Sequence, residues 1–150
     1  HFLKDQFVKG KTLQSIPRPP ASAIIMVQKE VAKKICAKPP DMNILALNIQ
    51  MFAKPKYLFT VGKGAFAPQP MVDSAVIELE TLPRPAISDP KKIKTFFEIT
   101  SVAFSQKRKT LGKSLRKIFG EKTHAILQKA GINPMRRPET LEIYEWNKLI

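Results

Sequence analysis

The ten residues TLPRPAISDP, Thr81 to Pro90, place three prolines between two sequence patterns of different period. Proline fixes φ and donates no backbone N–H, so neither a helix interior nor a central strand runs through such a stretch. Before it, short strand-type runs alternate with helical ones. After about Leu82 no strand pattern occurs, and the apolar residues recur at helical spacing. The expected organisation is therefore an α/β half, residues 1–83, and a small all-α half, residues 84–150.

In the first half, HFLKDQFV, with Phe2, Leu3 and Phe7, reads as the end of a helix, and GKTLQSIPRPP as a loop. ASAIIMVQ is a short continuous apolar run, the pattern of a fully buried strand. KEVAKKICAK follows as a helix, with Val31 and Ile35 four apart and Pro39-Pro40 as its stop. Asp41 or Asn43 is placed to cap a second helix, MNILALNIQMFA. PKYLFTV and SAVIELE then read as two strands close enough to pair antiparallel. Three strands and an unfinished helix cover both faces of a sheet poorly, so this half is expected to be the back end of a larger α/β domain.

In the second half, Asp89 and Pro90 open a helix that carries Ile93, Phe96, Phe97, Thr100, Ala103 and Phe104. KRKTLGKSLRKIFG is expected to continue as a helix with Leu111, Leu115 and Ile118 on one face. Its other face would carry Lys109, Lys113, Arg116 and Lys117, and Gly120 would end it. EKTHAILQKAG is a further short helix ending at Gly131. RRPETLEIYEWNKLI contains a turn and a last small helix.

Charge narrows the class of partner. Lys and Arg number 26 against 12 acidic residues, a net charge of +14. From Lys91 to Arg137 thirteen basic residues face only Glu98 and Glu121. A balance of this kind favours a polyanion, most often nucleic acid. The cations placed to contact phosphates are Lys107, Arg108, Lys109, Lys113, Arg116 and Lys117. Arg136 and Arg137 either extend the patch or pair with Glu139 or Glu142. A solvated lysine-rich face remains the alternative reading.

Conventional catalysis finds little support. The single cysteine, Cys36, allows no intrachain disulfide, fits a reducing compartment such as the cytoplasm, and reads as a small hydrophobe rather than a nucleophile. Two histidines, His1 and His124, and one cysteine make no metal-ligand cluster of the usual spacings, so no metal is expected. Gly62-Lys63-Gly64 leads into prolines and a strand, which is the wrong context for a phosphate-binding turn. No apolar run approaches the roughly 20 residues of a membrane span, and no signal-peptide pattern opens the chain.

The loop between the last two strands is more informative. In GAFAPQPMVDSAVIEL, Pro68 and Pro70 stiffen the backbone, and Asp73-Ser74 offer side-chain hydrogen bonds to hold the turn. A ring at Phe66 is thus presented at low entropic cost. It either stacks an unstacked nucleobase or folds onto the core.

Four stretches, MVQKEVA, AFAPQPMVDSAVIEL, AFSQKRKTLGKSL and RRPETL, occur in one order between Ala23 and Leu141. That series resembles the ribosomal RNA adenine dimethyltransferases, and F-x-P-x-P-x-V-D-S-A-V is its most specific part. The resemblance implies the back end of a Rossmann-like methyltransferase domain followed by a small helical RNA-binding domain. It implies methyl transfer from S-adenosylmethionine to N6 of adjacent adenines near the 3′ end of small-subunit rRNA in the immature subunit. It also places Phe66 beside the target adenine. The family's glycine-rich cofactor loop and N-x-P-Y motif are not present and would precede His1. The chain is therefore expected to be part of a longer protein, inactive and without cofactor binding when alone. Gly62-Lys63-Gly64 stands where the family often has a double proline, and DMNILALNIQ lacks the usual glycine-arginine before its helix. The alternatives are a non-catalytic RNA-binding or ribosome-assembly factor and a relative of the mitochondrial transcription factors built on this fold.

Overall fold

The computed structural model describes residues 19–106 and 108–150. The expected first helix, with Phe2, Leu3 and Phe7, lies outside them, as does Lys107. The first described element is strand β1 (Ser22–Gln28), which passes without a loop into helix α1 (Lys29–Ile35). Helix α2 (Ile44–Gln50) and strands β2 (Ala53–Val61) and β3 (Ser74–Thr81) follow. The three strands form one antiparallel sheet in the order β1-β3-β2. Pairing of β2 with β3 matches the expectation. Pro55 sits in β2, which as an edge strand tolerates the missing donor.

Two helices cover one face of this sheet. Ala32 and Ile35 of α1 pack with Ala75 and Ile77 of β3, and Ile25, Val27, Tyr57 and Leu79 border that cluster. The opposite face carries Ile24, Met26 and Phe59, which are 67%, 53% and 56% exposed. β1 is thus not the fully buried strand that its apolar run suggests. An edge strand with one face covered buries only alternate residues. A register shift between Tyr57 and Phe59 pairs Tyr57 with Ile77 but Phe59 with Val76. This bulge sends two rings only two residues apart to opposite faces.

Polar side chains join α1 to α2. The Asn43 carboxamide caps α2 by accepting from Ala46 N at 3.0 Å and donates to Lys34 O at 2.9 Å. Gln50 Nε2 donates to the carbonyls of Ile35 and Ala37, both at 2.9 Å. These carbonyls at the end of α1 have no partner within the helix, so Gln50 satisfies groups that would otherwise need water. Asn43, rather than Asp41, is the cap.

The proline-rich stretch is strapped to the sheet half. Leu82 N donates to Phe52 O and Ala86 N to Met51 O, each at 2.9 Å, and Ile87 is buried. Beyond it come α3 (Pro90–Phe104), α4 (Leu111–Ser114), α5 (Arg116–Phe119), α6 (Thr123–Lys129) and α7 (Ile143–Asn147). The described residues after Thr81 form no strand. Asp89 caps α3 through Lys91 N at 2.8 Å, with Pro90 in the first turn. Gly120 and Gly131, at φ +56° and +71°, end α5 and the α6 turn in the conformation that glycine adopts without strain.

The helical elements share their core with the sheet half. Met42, Ala46, Leu47 and Met51, on and around α2, belong to the same buried cluster as Phe96, Ile99, Leu111, Leu115, Leu127 and Trp146. One backbone bond, Met42 N to Glu139 O at 3.0 Å, crosses the same boundary. The helices after Pro90 thus do not close a core of their own.

Candidate functional site

Residues 62–73 connect β2 to β3. They open with a 3₁₀ turn, Lys63–Ala65, closed by Ala65 N donating to Gly62 O at 3.0 Å. Asp73 closes the loop at its far end. Its Oδ1 accepts from Lys63 N at 3.1 Å and its Oδ2 from Lys29 Nζ at 3.3 Å. Lys29 N in turn donates to Asp73 O at 2.9 Å. One residue therefore ties the start and the end of the loop to the β1–α1 junction. The Lys63 N–H, then Lys29, hold the Asp73 carboxyl below its ordinary value. The expected hold at Asp73-Ser74 is present through Asp73. The part of Lys29 was not anticipated, since it lies 44 positions away in sequence.

Phe66 follows the 3₁₀ turn with extended backbone, φ −118° and ψ 147°. It is half-buried, yet it belongs to neither hydrophobic cluster. Downstream of it, Met71 is 90% exposed, so the loop presents a second apolar side chain. The sequence offers no periodicity that would single Met71 out.

The basic segment departs from the single helix expected of it. Lys109 N donates to Gln106 O in a turn before α4, and Leu115 separates α4 from α5. Pieces of four residues have little stability of their own, and tertiary contacts fix them. Leu111 and Leu115 are fully buried, while Leu111 N and Gly112 N donate to Arg136 O and Pro134 O at 2.8 and 2.9 Å. Ile118 is 39% exposed and so does not share the buried stripe. Arg108, Lys109, Lys113, Arg116 and Lys117 are all exposed. Arg116 pairs with Glu121. Arg137 lies 3.8 Å from Glu139.

Arg136 is engaged within the fold. Its guanidinium donates to both carboxylate oxygens of Glu145, at 3.1 Å to Oε2, and to Thr140 O. Glu145 is only 12% exposed. Burial pushes its pKa up, but Arg136 and the Glu142 N–H outweigh that and hold it below the ordinary value. The partner is Glu145 rather than Glu139 or Glu142, because α7 returns its first turn toward residue 136.

Other chemistry is sparse. Cys36 is half-buried against the sheet cluster, and burial pushes its thiol up, away from the thiolate. Among the described residues no group of three His, Cys, Asp or Glu is placed to hold a metal, and no helix is long and apolar enough to cross a membrane. The β1–α1 junction has neither a glycine nor an intervening loop. That junction thus offers no glycine turn of the kind that cradles S-adenosylmethionine.

The family model for ribosomal RNA adenine dimethylases matches residues 4–150, and the chain belongs to that family. A protein named ribosomal RNA small subunit methyltransferase A from Dehalococcoides mccartyi is 41% identical over 133 residues, covering 87% of this chain and 45% of the relative. Its namesake from Desulfitobacterium hafniense is 44% identical over 131 residues, covering 84% and 46%. The chain thus spans about half the length of these relatives. A dimethyladenosine transferase from Plasmodium falciparum superposes with a TM-score of 0.71 at 21% identity, over 90% of this chain and 58% of that one. The 23S rRNA methyltransferase ErmE gives 0.64 at 19% identity, over 86% and 53%. These likenesses establish the methyltransferase fold.

Proposed function

We propose that this chain is the later part of an S-adenosylmethionine-dependent rRNA adenine N6-dimethyltransferase. Its target would be adjacent adenines near the 3′ end of small-subunit rRNA in the immature subunit, in the cytoplasm. Residues 1–83 would complete the methyltransferase domain, and residues 84–150 would grip the RNA. The uncovered sheet face with Ile24, Met26 and Phe59 supports the first assignment, because an apolar face of this kind is stable once other elements cover it. The exposed Arg108, Lys109, Lys113 and Lys117 support the second. Lys107 and Arg137 belong to the same basic set.

The observation that carries the reading is Phe66, half-buried but outside both clusters, on a loop that Asp73 closes. A ring so placed stacks an adenine lifted from its helix and orients the exocyclic amine. S-adenosylmethionine would supply the methyl group from a part of the protein other than the described residues.

The test is Phe66→Ala in the longer protein. Methyl transfer should fall roughly 5- to 150-fold, since stacking on an aromatic contributes about 1–3 kcal/mol per base. RNA affinity, set mainly by phosphate contacts, should change far less. The 150-residue chain alone should neither bind the cofactor nor transfer methyl groups. Equal losses of affinity and activity on Phe66→Ala would remove the base-orienting role. Full retention of both would take Phe66 out of the reaction, and no methyl transfer by the unaltered longer protein would favour a non-catalytic RNA-binding factor.

A further inference from the structure

A concavity lies in the helical half, apart from the Phe66 loop. It has a volume of about 400 Å³ and is lined by His124, Gln128, Gly131, Ile132, Asn133 and Pro134. That size falls within the roughly 300–1,000 Å³ of small-molecule sites. His124 and Gln128 are four apart on α6, so one helical face contributes both. The Gly131–Pro134 loop supplies the other wall. Ile132 in that wall is buried.

The lining mixes polar groups with apolar surface and holds no Asp, Glu, Lys or Arg. It offers an imidazole, two carboxamides and the apolar surfaces of Ile132 and Pro134, with no carboxylate and no cation. Among the described residues, neither His124 nor Gln128 commits its side chain to a hydrogen bond. Asn133 uses its Oδ1 to accept from Met135 N at 2.9 Å, which leaves its amide hydrogens to donate. The charges stand outside the cleft. Gly112 packs against Pro134 and His124, where an added Cβ would lie 3.1 Å from Pro134 Cβ and 3.2 Å from His124 Nε2. The exposed Lys113 is the next residue along, and the exposed Lys129 follows Gln128. An imidazole and two carboxamides in the lining, with the exposed Lys113 and Lys129 next in sequence to Gly112 and Gln128, match a nucleobase with its phosphates outward. A phosphate or acidic peptide would call for cations in the lining itself.

We infer that the His124–Gln128–Asn133 cleft holds one unstacked nucleobase of the RNA that the neighbouring lysines bind. This rests on the RNA-binding reading proposed above and adds a second point of base contact, away from Phe66. It gives the helical half a preference for single-stranded or bulged RNA, whose bases are free to enter, over a continuous duplex.

The test titrates the longer protein with a short single-stranded RNA and with a duplex of equal phosphate count. The variants are His124→Ala/Gln128→Ala and Lys113→Glu/Lys117→Glu. All four positions are exposed, so the fold should persist, and circular dichroism checks that it does. Asn133 is left in place because it holds the Met135 turn. The cleft variant should weaken single-strand binding about tenfold while leaving duplex binding and the salt dependence unchanged. The lysine variant should weaken both RNAs and flatten the salt dependence. Single-strand affinity unchanged by the cleft variant, with the lysine effect intact, would overturn the cleft and spare the RNA reading. No binding of either RNA by the unaltered longer protein would overturn both.

Discussion

Asp73 receives Lys63 N–H and Lys29 Nζ on one carboxylate, and this sets how the Phe66 loop responds to acid. Its folded pKa lies below the ordinary 3.8. The stabilisation it contributes is therefore complete above that value and is lost as pH falls through the lowered folded value. Hydrogen exchange at the Lys63 amide should show constant protection from neutral pH down to about pH 4, and loss below it. Asp73→Asn keeps an acceptor for Lys63 but loses the charge that Lys29 meets, so its protection should be intermediate. Asp73→Ala should leave the amide unprotected at every pH. Gly112 makes a different residue-scale prediction. Its N–H donates to Pro134 O, and an added Cβ meets that same proline at 3.1 Å, so the wall is not free to retreat. Gly112→Ala should destabilise by about 1–3 kcal/mol despite alanine's better helix propensity, measured as a lowered midpoint in urea.

At the scale of elements, α2 joins the two halves, since it closes on α1 through Gln50 and Asn43 yet buries Leu47 among the helices that follow Pro90. Leu47→Ala should cost about 2–5 kcal/mol. Amide exchange should then rise in α3 as well as in α2, because they share the vacated cluster. Protection lost in α2 alone would show the halves to be independent. Most elements were legible in the sequence because their signals are local. The Asp89-Pro90 start, Gly120 and Gly131 stops and Asn43 cap each act within a few residues. What escaped depends on partners distant in sequence. The apolar run of β1 does not reveal how many faces are covered, and the bulge that turns Phe59 outward is a property of pairing with β3. The bonds that fasten Leu111 and Gly112 reach residues 136 and 134, and the clasp from Lys29 to Asp73 spans 44 positions. The site was legible to the same degree: the Phe66 loop as a motif, its fastening and the His124 cleft only in three dimensions.

At the scale of the whole molecule, a net charge of +14 makes salt the most discriminating variable, but the charges are not equivalent. Lys113 and Lys117 are exposed and sit on the two short helices that Leu111 and Leu115 anchor. Arg136 carries the same formal charge but spends it on Glu145 and Thr140 O. Counterion release depends on cations that reach phosphates, and it contributes a log–log slope of roughly −0.7 to −0.9 per phosphate neutralised. Lys113→Ala and Lys117→Ala should each flatten the salt slope of RNA binding by about one and leave thermal stability nearly unchanged. Arg136→Met should do the opposite. It strands the Glu145 carboxylate in a mostly buried position, so the melting temperature should fall, with a loss on the order of 1.5–3 kcal/mol. That loss should shrink as pH drops below the ordinary carboxylate value of 4.5, where Glu145 without its partner takes up a proton. The salt slope should not move. A flattened slope with unchanged stability in Arg136→Met would instead place that guanidinium on the RNA, freed from Glu145 when the nucleic acid arrives.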